Sequence, residues 1–401
     1  MELLKPNITT FVGNQAQLLI AIRHGIDHII LDDSKLSIRS YTNDFDIPHF
    51  EKLGLLAIEA RQLEPTILIS VNCDILMHHR HEDLLLDFIS TLKKYQLNRI
   101  RVQDPGLIPF FKQNYPSSTI ELAFEMGNQN IKSMEFYQSI TVRQVISNDV
   151  SINNIQSMSD TLNTELEVQV QGPLLIQYSN RRFLTGLDQN KTAESKETIK
   201  RIAQDDQYLG RNFNFYDNIH GHFMYLYFDR CLLKSIKELY KLNIKGWLID
   251  CRGESEAYFK TSLKLYTAAR NAIIENNNWT VSDSDFKSLE AVSTRPQRPG
   301  FFKVNKTDQI RRKKHIDLKA EPVGTILDSI KEDIVTIELE TDLHTGETIT
   351  LKNPKGLEKE ITISKIVCLD GTLTTKGKAG DLVQIPWQKY LAPKVKLYRP
   401  K

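Results

Sequence analysis

The chain has 401 residues, of which 40% are hydrophobic and 25% charged, a composition typical of folded globular proteins that excludes wholesale disorder. The 52 basic residues nearly balance the 50 acidic ones, so net charge neither demands nor excludes a nucleic-acid partner. The four cysteines lack the CxxC spacing of a zinc or redox site and are too few for a disulfide scaffold. The sequence shows neither a secretory signal nor a run of about 18 apolar residues. We therefore expect a cytoplasmic protein that does not enter a membrane.

Short β-rich runs alternate with amphipathic helical stretches over the first 270 residues. Eight runs predict strands, and helical repeats between them predict crossover helices. A strand–helix unit repeated eight times predicts an α/β fold, a (β/α)8 TIM-barrel-like domain, with an open doubly wound sheet as the alternative. The predicted strands are 8–13, 28–32, 66–72, 99–103, 119–125, 141–147, 166–172 and 246–252.

The regular alternation ends near residue 300. We assign residues 1–302 to the barrel domain, with a long polar insert at 185–221 that predicts a lid or a disordered loop. Residues 303–320 form a basic linker. Short β-rich runs separated by turn signals then predict a small all-β barrel over 321–401. From residue 301 onward, 19 basic residues exceed 14 acidic ones, which hints at contact with a polyanion through this tail.

Polar side chains occur at the predicted carboxyl ends of the barrel strands. In a TIM barrel these ends meet at one mouth, where active sites are built. Asp and Asn in such loops also cap the following helix, and that alternative stays open. The ring comprises Asp32, Asp33, Asn72, Asp74, Gln103, Asp104, Glu125, Gln171, Asp250 and Arg252. Five of these residues are predicted to be catalytic: Asn72, Gln103, Asp104, Glu125 and Asp250.

Two basic clusters stand out. An arginine pair after the seventh strand, Arg181 and Arg182, would grip a carboxylate or phosphate in a bidentate manner, unless it lies in a solvated loop. A cluster in the linker predicts phosphate contacts to RNA, with a solubilising linker as the alternative. It comprises Arg311, Arg312, Lys313 and Lys314. The histidines at 78, 79 and 81 match no zinc spacing, so we predict a solvated helix start there and no metal site.

Six segments in order along the chain resemble the U32 (collagenase-like) peptidase family. The family signature is similar to EVQVQGPLLIQYSNRRFLT, and VQDPGLIPFFKQNYP is close to the family's most characteristic stretch. The resemblance extends over about residues 5–302. It also marks Arg39, Asn72 and His78 as family positions. The other four segments are HGIDHIILDDSKLSIRS, VNCDILMHH, the block from Phe228 to Arg270, and RPQRPGFF.

The signature departs from the family pattern where the family carries metal ligands. Family members with an iron–sulfur cluster hold it with four cysteines, two of them in the signature. Leu175 and Arg182 occupy those two positions here, Gln171 replaces the signature histidine, and only Cys231 falls on a family cysteine position. One thiolate does not hold such a cluster, so we expect no cofactor.

The resemblance implies a role in RNA modification. The implied reaction is hydroxylation of the tRNA wobble uridine to 5-hydroxyuridine, with prephenate as a co-substrate and tRNA as a partner. Arg39, Arg181 and Arg252 would then bind the carboxylates of the substrate. One alternative is a non-catalytic partner subunit that works beside a related family member. The other alternative is a collagenase-like peptidase, a hydrolase, for which the sequence offers no nucleophile or metal motif.

Overall fold

The computed structural model describes most of the chain. The described residues are 4–39, 50–124, 127–185, 198–205, 208–276, 279–303, 321–352, 358–393 and 395–399. Contacts divide the chain into two compact units, residues 1–308 and 309–401. Among the described residues, no helix has both the length and the apolar character needed to cross a membrane.

Helices and strands alternate in the first unit. The strands are β1 (Asn7–Val12), β2 (His28–Leu31), β3 (Leu68–Cys73), β4 (Arg99–Val102), β5 (Thr119–Leu122), β6 (Arg143–Val145), β7 (Glu165–Ser179), β8 (Ile199–Asp205), β9 (Tyr208–Asn218), β10 (Gly221–Cys231), β11 (Gly246–Ile249) and β12 (Gln297–Arg298). The helices are α1 (Gln15–Arg23), α2 (Glu51–Leu63), α3 (Glu82–Lys94), α4 (Leu107–Asn114), α5 (Ile131–Tyr137), α6 (Ile152–Thr161), α7 (Ile236–Lys241), α8 (Glu256–Asn276) and α9 (Asp283–Val292).

Eight parallel strands of this unit form a closed barrel. Strands β1 to β7 pair in sequence order, and β11 pairs with both β7 and β1. This closure confirms the TIM-barrel-like prediction and excludes the open doubly wound sheet. The helices bury one apolar stripe against the strands, as α3 does with Leu85, Phe88, Ile89 and Leu92.

The insert forms antiparallel strands in its described part. Strand β7 continues beyond the barrel, its second half pairs with β10, and β9 joins β10 to β8. The sequence predicted a lid or a disordered loop at 185–221. The described residues of this insert form β8 and β9, so disorder is wrong for them, and the lid stays a prediction. In β9, Arg211, Phe213 and Phe215 alternate with polar residues, which is the pattern of a strand with two different faces. Residues 186–197 and 206–207 lie outside the described residues.

Charged side chains fill one layer of the barrel interior. Glu167 on β7 accepts from Arg101 Nη1 at 2.7 Å and from Arg143 Nη1 at 3.0 Å. Arg143 also bonds Glu165, with 2.8 Å between Nη2 and Oε2, and Glu121 pairs with Arg101 at 3.5 Å. Arg99 pairs with Glu121 and Glu165, so three guanidiniums face three carboxylates. Although burial alone raises their pKa values, the guanidiniums hold the pKa of Glu121 and of Glu167 below the usual range.

His28 joins this layer as a neutral ring, because burial lowers the pKa of His28 to about 3. Arg143 Nη1 lies 2.7 Å from Nδ1 of His28, and a guanidinium only donates, so Nδ1 accepts and Nε2 carries the proton. Nε2 then donates to Ser70 Oγ at 2.7 Å, and Ser70 donates to Glu121 Oε1 at 3.0 Å. The hydrogen bonds thus run in one direction from Arg143 to Glu121.

The second unit is a curled antiparallel sheet. Eight strands follow the order β17-β16-β22-β13-β14-β21-β18-β19, and β15 pairs with β20. Apolar residues on one face, such as Ile337, Ile349 and Leu397, form its core. The strands are β13 (Pro322–Ser329), β14 (Ile334–Leu339), β15 (Leu343–His344), β16 (Thr348–Lys352), β17 (Glu358–Thr362), β18 (Ile366–Cys368), β19 (Leu373–Thr374), β20 (Lys376–Gly377), β21 (Leu382–Pro386) and β22 (Lys396–Tyr398).

We expect Arg143→Met to lower the free energy of unfolding by about 3–5 kcal/mol, because it leaves buried carboxylates without their guanidinium. Urea unfolding followed by the fluorescence of Trp247, which is buried in β11, measures this loss. The control is Lys132→Met, which breaks the exposed pair of Lys132 with Glu135 and should change stability little. Equal stabilities of the two variants would contradict this account of the barrel interior.

Candidate active site at the barrel mouth

The structure brings six polar side chains together at the carboxyl end of the barrel. Asp32, Asp74 and Asp250 follow β2, β3 and β11, and Asn72 lies near the end of β3. Arg39 and Arg252 reach the same place from the loops after β2 and β11, as their contacts with Asp250 show. The close approach of strand ends in a closed barrel explains this convergence of residues distant in sequence.

Asp250 is the centre of this group. Its Oδ2 accepts from Arg39 Nη1 at 2.6 Å and from Arg252 Nη2 at 2.8 Å, while Oδ1 accepts from Arg252 Nε at 3.0 Å. Burial alone raises the pKa of this carboxyl, but the two guanidiniums hold the pKa of Asp250 well below its usual range. Arg252 also lies over the ring of Phe11, 3.5 Å from its centroid. Asp250 is therefore an ionised anchor that fixes both arginines.

The backbone beside Asp250 requires a glycine. Gly172 has a φ of 117°, and a Cβ at this position would lie 1.9 Å from the carbonyl oxygen of Asp250. The amide of Asp250 donates to the carbonyl of Gln171 at 3.0 Å. Any larger residue at 172 would push β7 away from the end of β11.

Asp32 has a different environment from Asp250. Arg252 Nη1 is 3.9 Å from Asp32 Oδ1, too far for a hydrogen bond, and the amide of Asn72 donates to Oδ1 at 2.7 Å. Burial outweighs these attractions and raises the pKa of Asp32 to about 7. Asp32 can therefore take up or release a proton near neutral pH, which suits acid–base chemistry.

Gln103 and Asp104 support the loops at the same end of the barrel. Gln103 Nε2 donates to the carbonyl of Asp74 at 3.1 Å. Asp104 accepts from the amides of Gly106 and Met77, at 2.8 and 3.1 Å, and so fixes the start of α4 and the loop after β3. Asp104 thus supports the loop before α4 without capping the helix itself, whose N-cap is Gly106.

Of four other predicted groups, the structure places two and does not describe the other two. Glu125 and the linker residues Arg311, Arg312, Lys313 and Lys314 lie outside the described residues. Arg181 is exposed, and its backbone amide donates to Ser179 Oγ at 3.2 Å. The histidines at 78, 79 and 81 form the 3-10 turn that precedes α3, where His78 and His81 cap each other.

The extension of β7 and β10 covers one side of the mouth. The guanidinium of Arg39 lies 5.5 Å from the ring centroid of Tyr225, and Tyr178 Oη donates to the carbonyl of His220 at 2.9 Å. The ring of His220 in turn bonds the carbonyl of Ser34 at 2.9 Å, beside the mouth. Sequence reasoning missed Tyr178 and Tyr225, because neither lies at the predicted carboxyl end of a barrel strand.

Two cavities adjoin the mouth. A space of about 30 Å³, roughly the size of one water, lies among Phe11, Arg252 and Asp250. A larger cavity of about 820 Å³ lies between the loops after β3 and β4, and its volume suits an organic ligand. Its lining includes Met77, His78, His79, Arg80, Leu107 and Phe110.

Gln171, which stands where the family signature has a histidine, belongs to a network of side-chain hydrogen bonds. Gln171 Nε2 donates to Gln297 Oε1 at 2.7 Å and also contacts the hydroxyl of Tyr258. Tyr258 donates to Asp229 at 3.0 Å, and Asp229 accepts from Arg295 Nε at 2.6 Å. Sequence reasoning missed Tyr258 and Asp229, although both lie within the segments that carry the resemblance.

The donor set does not fit an iron–sulfur cluster. Leu175 contributes no donor and Arg182 carries a cation, so of these three positions only Cys231 offers a thiol, where such a cluster takes four. The Sγ of Cys231 lies 3.9 Å from the hydroxyl of Tyr266. In the described part of the chain, no group of three or more His, Cys, Asp or Glu residues could hold a metal ion.

Comparison with known proteins connects this chain to one family. The sequence model of Peptidase family U32 matches residues 13–312. The chain is 24% identical over 307 residues to tRNA hydroxylation protein P1 of Bacillus subtilis (strain 168), covering 74% of this chain and 71% of that protein. It is 21% identical over 405 residues to tRNA hydroxylation protein P of Escherichia coli (strain K12), covering 88% of this chain and 87% of that protein.

Similarity to solved structures is more limited. The C-terminal domain of a putative U32 peptidase from Geobacillus thermoleovorans matches with 18% identity and a TM-score of 0.19, over 20% of this chain and 93% of that chain.

Asp32→Asn should change how stability depends on pH. A folded-state pKa of about 7, against an unfolded value of 3.8, means that the folded protein binds this proton more tightly. Wild-type stability should therefore fall as pH rises from about 4 to 7, and asparagine should remove that loss. The Tm of the variant minus the Tm of wild type should therefore be at least about 2 °C larger at pH 8 than at pH 5. Calorimetric scans at both pH values measure it, and a constant difference would contradict the assigned pKa.

Proposed function

This chain belongs to peptidase family U32, and we propose that it acts in tRNA modification, in the hydroxylation of a tRNA base. The observation that carries this proposal is the similarity to two proteins named for tRNA hydroxylation, one of them aligned over 88% of this chain. The finer proposal is that the base is the wobble uridine and that the product is 5-hydroxyuridine.

The mouth offers groups that such a reaction needs. Replacing a C–H bond of a base by a C–O bond is a two-electron oxidation, so a co-substrate has to supply the oxygen and accept the two electrons. The step also releases a proton, and Asp32, with a pKa of about 7, is able to accept it. Asn72 holds the carboxyl of Asp32 in place, and Arg252 supplies positive charge 3.9 Å away. We assign Asp32 the role of proton carrier, a residue that the sequence placed in the polar ring and did not single out as catalytic.

Prephenate remains our proposal for the oxygen source, as an acidic co-substrate bound without a cofactor of this chain. Arg39 and Arg252 are the cations at the mouth, but both bond Asp250, so an added carboxylate would share them with Asp250. The 820 Å³ cavity between the loops after β3 and β4 offers Arg80 as a further cation, with the imidazoles of His78 and His79 as hydrogen-bonding groups. We propose this cavity, at the same end of the barrel, as the place where the co-substrate binds.

The basic linker is our proposed contact for the tRNA backbone. Residues 303–320 contain seven basic and two acidic residues, whereas residues 321–401 contain twelve of each. The positive excess of the tail therefore lies in residues 303–320 and not in residues 321–401. Arg311, Arg312, Lys313 and Lys314 are the densest part of that excess.

A non-catalytic partner subunit is the second candidate. One observation favours it: Arg252 is folded onto Asp250 and Phe11, and only about 30 Å³ stays open between them. A related family member would then supply the chemistry, while this chain binds tRNA.

A peptidase is disfavoured by the arrangement nearest to a hydrolytic site among the described residues. His222 Nδ1 bonds Asp217 at 2.6 Å, and Ser179 lies opposite His222 in the strand register. However, Ser179 Oγ accepts from the amide of Arg181, and a serine nucleophile needs a hydrogen bond to the histidine.

We expect a deletion strain to lose the nucleosides derived from 5-hydroxyuridine in total tRNA, as measured by mass spectrometry. Wild type should restore them, and Arg23→Gln, an exposed change on α1, serves as the control that should also restore them. Asp32→Asn should restore them at a rate about 100-fold lower or less, because the proton carrier is removed.

Arg252→Ala should also fail to restore them, since Asp250 would lose one of its two cations. A melting temperature for each purified variant separates loss of function from loss of folding. An unchanged tRNA profile in the deletion strain would sink the hydroxylation proposal for tRNA. Full restoration by Asp32→Asn would favour the partner-subunit candidate.

A further inference from the structure

The extension formed by β8, β9, β10 and the second half of β7 has two different faces. Side chains alternate between the faces of a strand. Tyr178 and Tyr225 lie on the inner face and contact the mouth as described above. Phe213 and Phe215 lie on the opposite, outer face, together with His222, because register pairs Phe215 with Met224 and His222 with Asp217.

Ring contacts run along the outer face. The ring of Phe183 lies 4.9 Å from that of His222, and His222 lies 5.8 Å from Phe215. Farther along, Phe213 contacts Tyr227 at 5.6 Å, in the part of β10 after Tyr225 where the strand register is irregular and the alternation of faces is interrupted. Phe183 is 48% exposed, so the rings do not belong to a closed core.

Two arginines extend this row of rings. The guanidinium carbons of Arg211 and Arg298 lie 5.3 and 5.2 Å from the ring centroid of Tyr227. Arg298 Nη1 also donates to Tyr227 Oη at 2.9 Å, and its side chain is exposed. Positive charge and aromatic surface thus occur side by side. We call Phe183, Phe213, Phe215, Tyr227, Arg211 and Arg298 the outer strip.

Asp217 holds one end of the outer strip in a fixed conformation. Its Oδ2 accepts from the amides of Leu184 and Thr185 at 2.7 and 3.1 Å, and its Oδ1 accepts from His222. These bonds fix the chain immediately after Phe183 and orient the ring against which Phe183 packs. A rigid aromatic surface loses little conformational entropy when a ligand stacks on it.

We propose that the outer strip binds unpaired nucleotides of the RNA substrate. Every base has a flat face that stacks on an aromatic ring or a guanidinium plane, and arginines also bond the phosphates between the bases. Stacking needs bases that are splayed out, so the strip recognises a single-stranded loop and not a duplex. This inference rests on the proposed function, because it supposes that the substrate is tRNA.

The position of the outer strip adds to the argument. The same strands carry Tyr225 on their inner face, where its ring lies 5.5 Å from the guanidinium of Arg39 at the mouth. The strip and the mouth residue Arg39 therefore lie on opposite sides of one sheet. The target base would enter the mouth while its neighbours along the loop stack outside. The strip therefore holds the flanking nucleotides, and the mouth holds the nucleotide that reacts.

The test compares variants of the full-length protein in binding an unmodified tRNA transcript, measured by fluorescence anisotropy. Phe183→Leu should weaken binding about 5- to 100-fold through loss of one stacked base, and Phe183→Tyr should keep it. Phe136→Leu, an exposed aromatic of α5, is the matched control and should bind like wild type. Arg298→Gln should lower the slope of log Kd against log salt by about 0.7, whereas Arg23→Gln should not.

A competition assay, and the comparison of tRNA binding with restored hydroxylation, distinguish the remaining outcomes. A stem–loop RNA should compete with the transcript for wild type better than a fully paired duplex of the same length, and equal competition would overturn the proposal. If wild type binds tRNA and restores hydroxylation while Phe183→Leu binds equally well, the outer strip is not an RNA surface and the proposed function stands. If wild type binds no tRNA, both fail. If Phe183→Leu instead loses only a co-purifying protein, the strip is a protein interface.

Discussion

The carboxylate of Asp250 is the constraint on which the site depends. It stands at the end of β11, the strand that closes the barrel between β7 and β1. Its amide bonds Gln171 and its side chain bonds Arg39 and Arg252. Barrel closure and assembly of the mouth are therefore one event. A neutral side chain at this position would remove the carboxylate nearest to both guanidiniums, at a cost comparable to breaking a buried ion pair.

The number and distance of guanidiniums explain why buried carboxylates behave differently in this barrel. Asp250 has two arginines within 3.0 Å and stays ionised, and Glu167 likewise has two within 3.0 Å. Asp32 has one guanidinium at 3.9 Å and an amide, too little to offset burial. Asp250 and Glu167 are therefore held as ions that stabilise the fold, whereas the carboxyl of Asp32 is able to exchange a proton.

The periodicity of the sequence was enough to predict the eight strands and the polar ring at their ends, because both depend on local pattern. The partners of that ring were not predictable, since Arg39 and Asp250 are 211 residues apart. The charged interior was missed for a physical reason. Arg and Glu are usually exposed, and the sequence does not show that Arg101 and Glu167 pair with each other inside the barrel. The strands of the insert were missed because Phe213 and Phe215 alternate with polar residues in a segment rich in turn formers.

Leu175 and Arg182, the residues that replace the two signature cysteines, show how one segment contributes to both faces of the extension. Leu175 is buried and pairs in register with Tyr225, whose ring lies by Arg39 at the mouth. Arg182 immediately precedes Phe183 on the outer strip. Where resembling proteins carry thiolates, this chain has an apolar side chain that packs and a cation beside an exposed ring. Because packing and stacking need no metal, β7 can order the mouth on one face and present a rigid surface on the other.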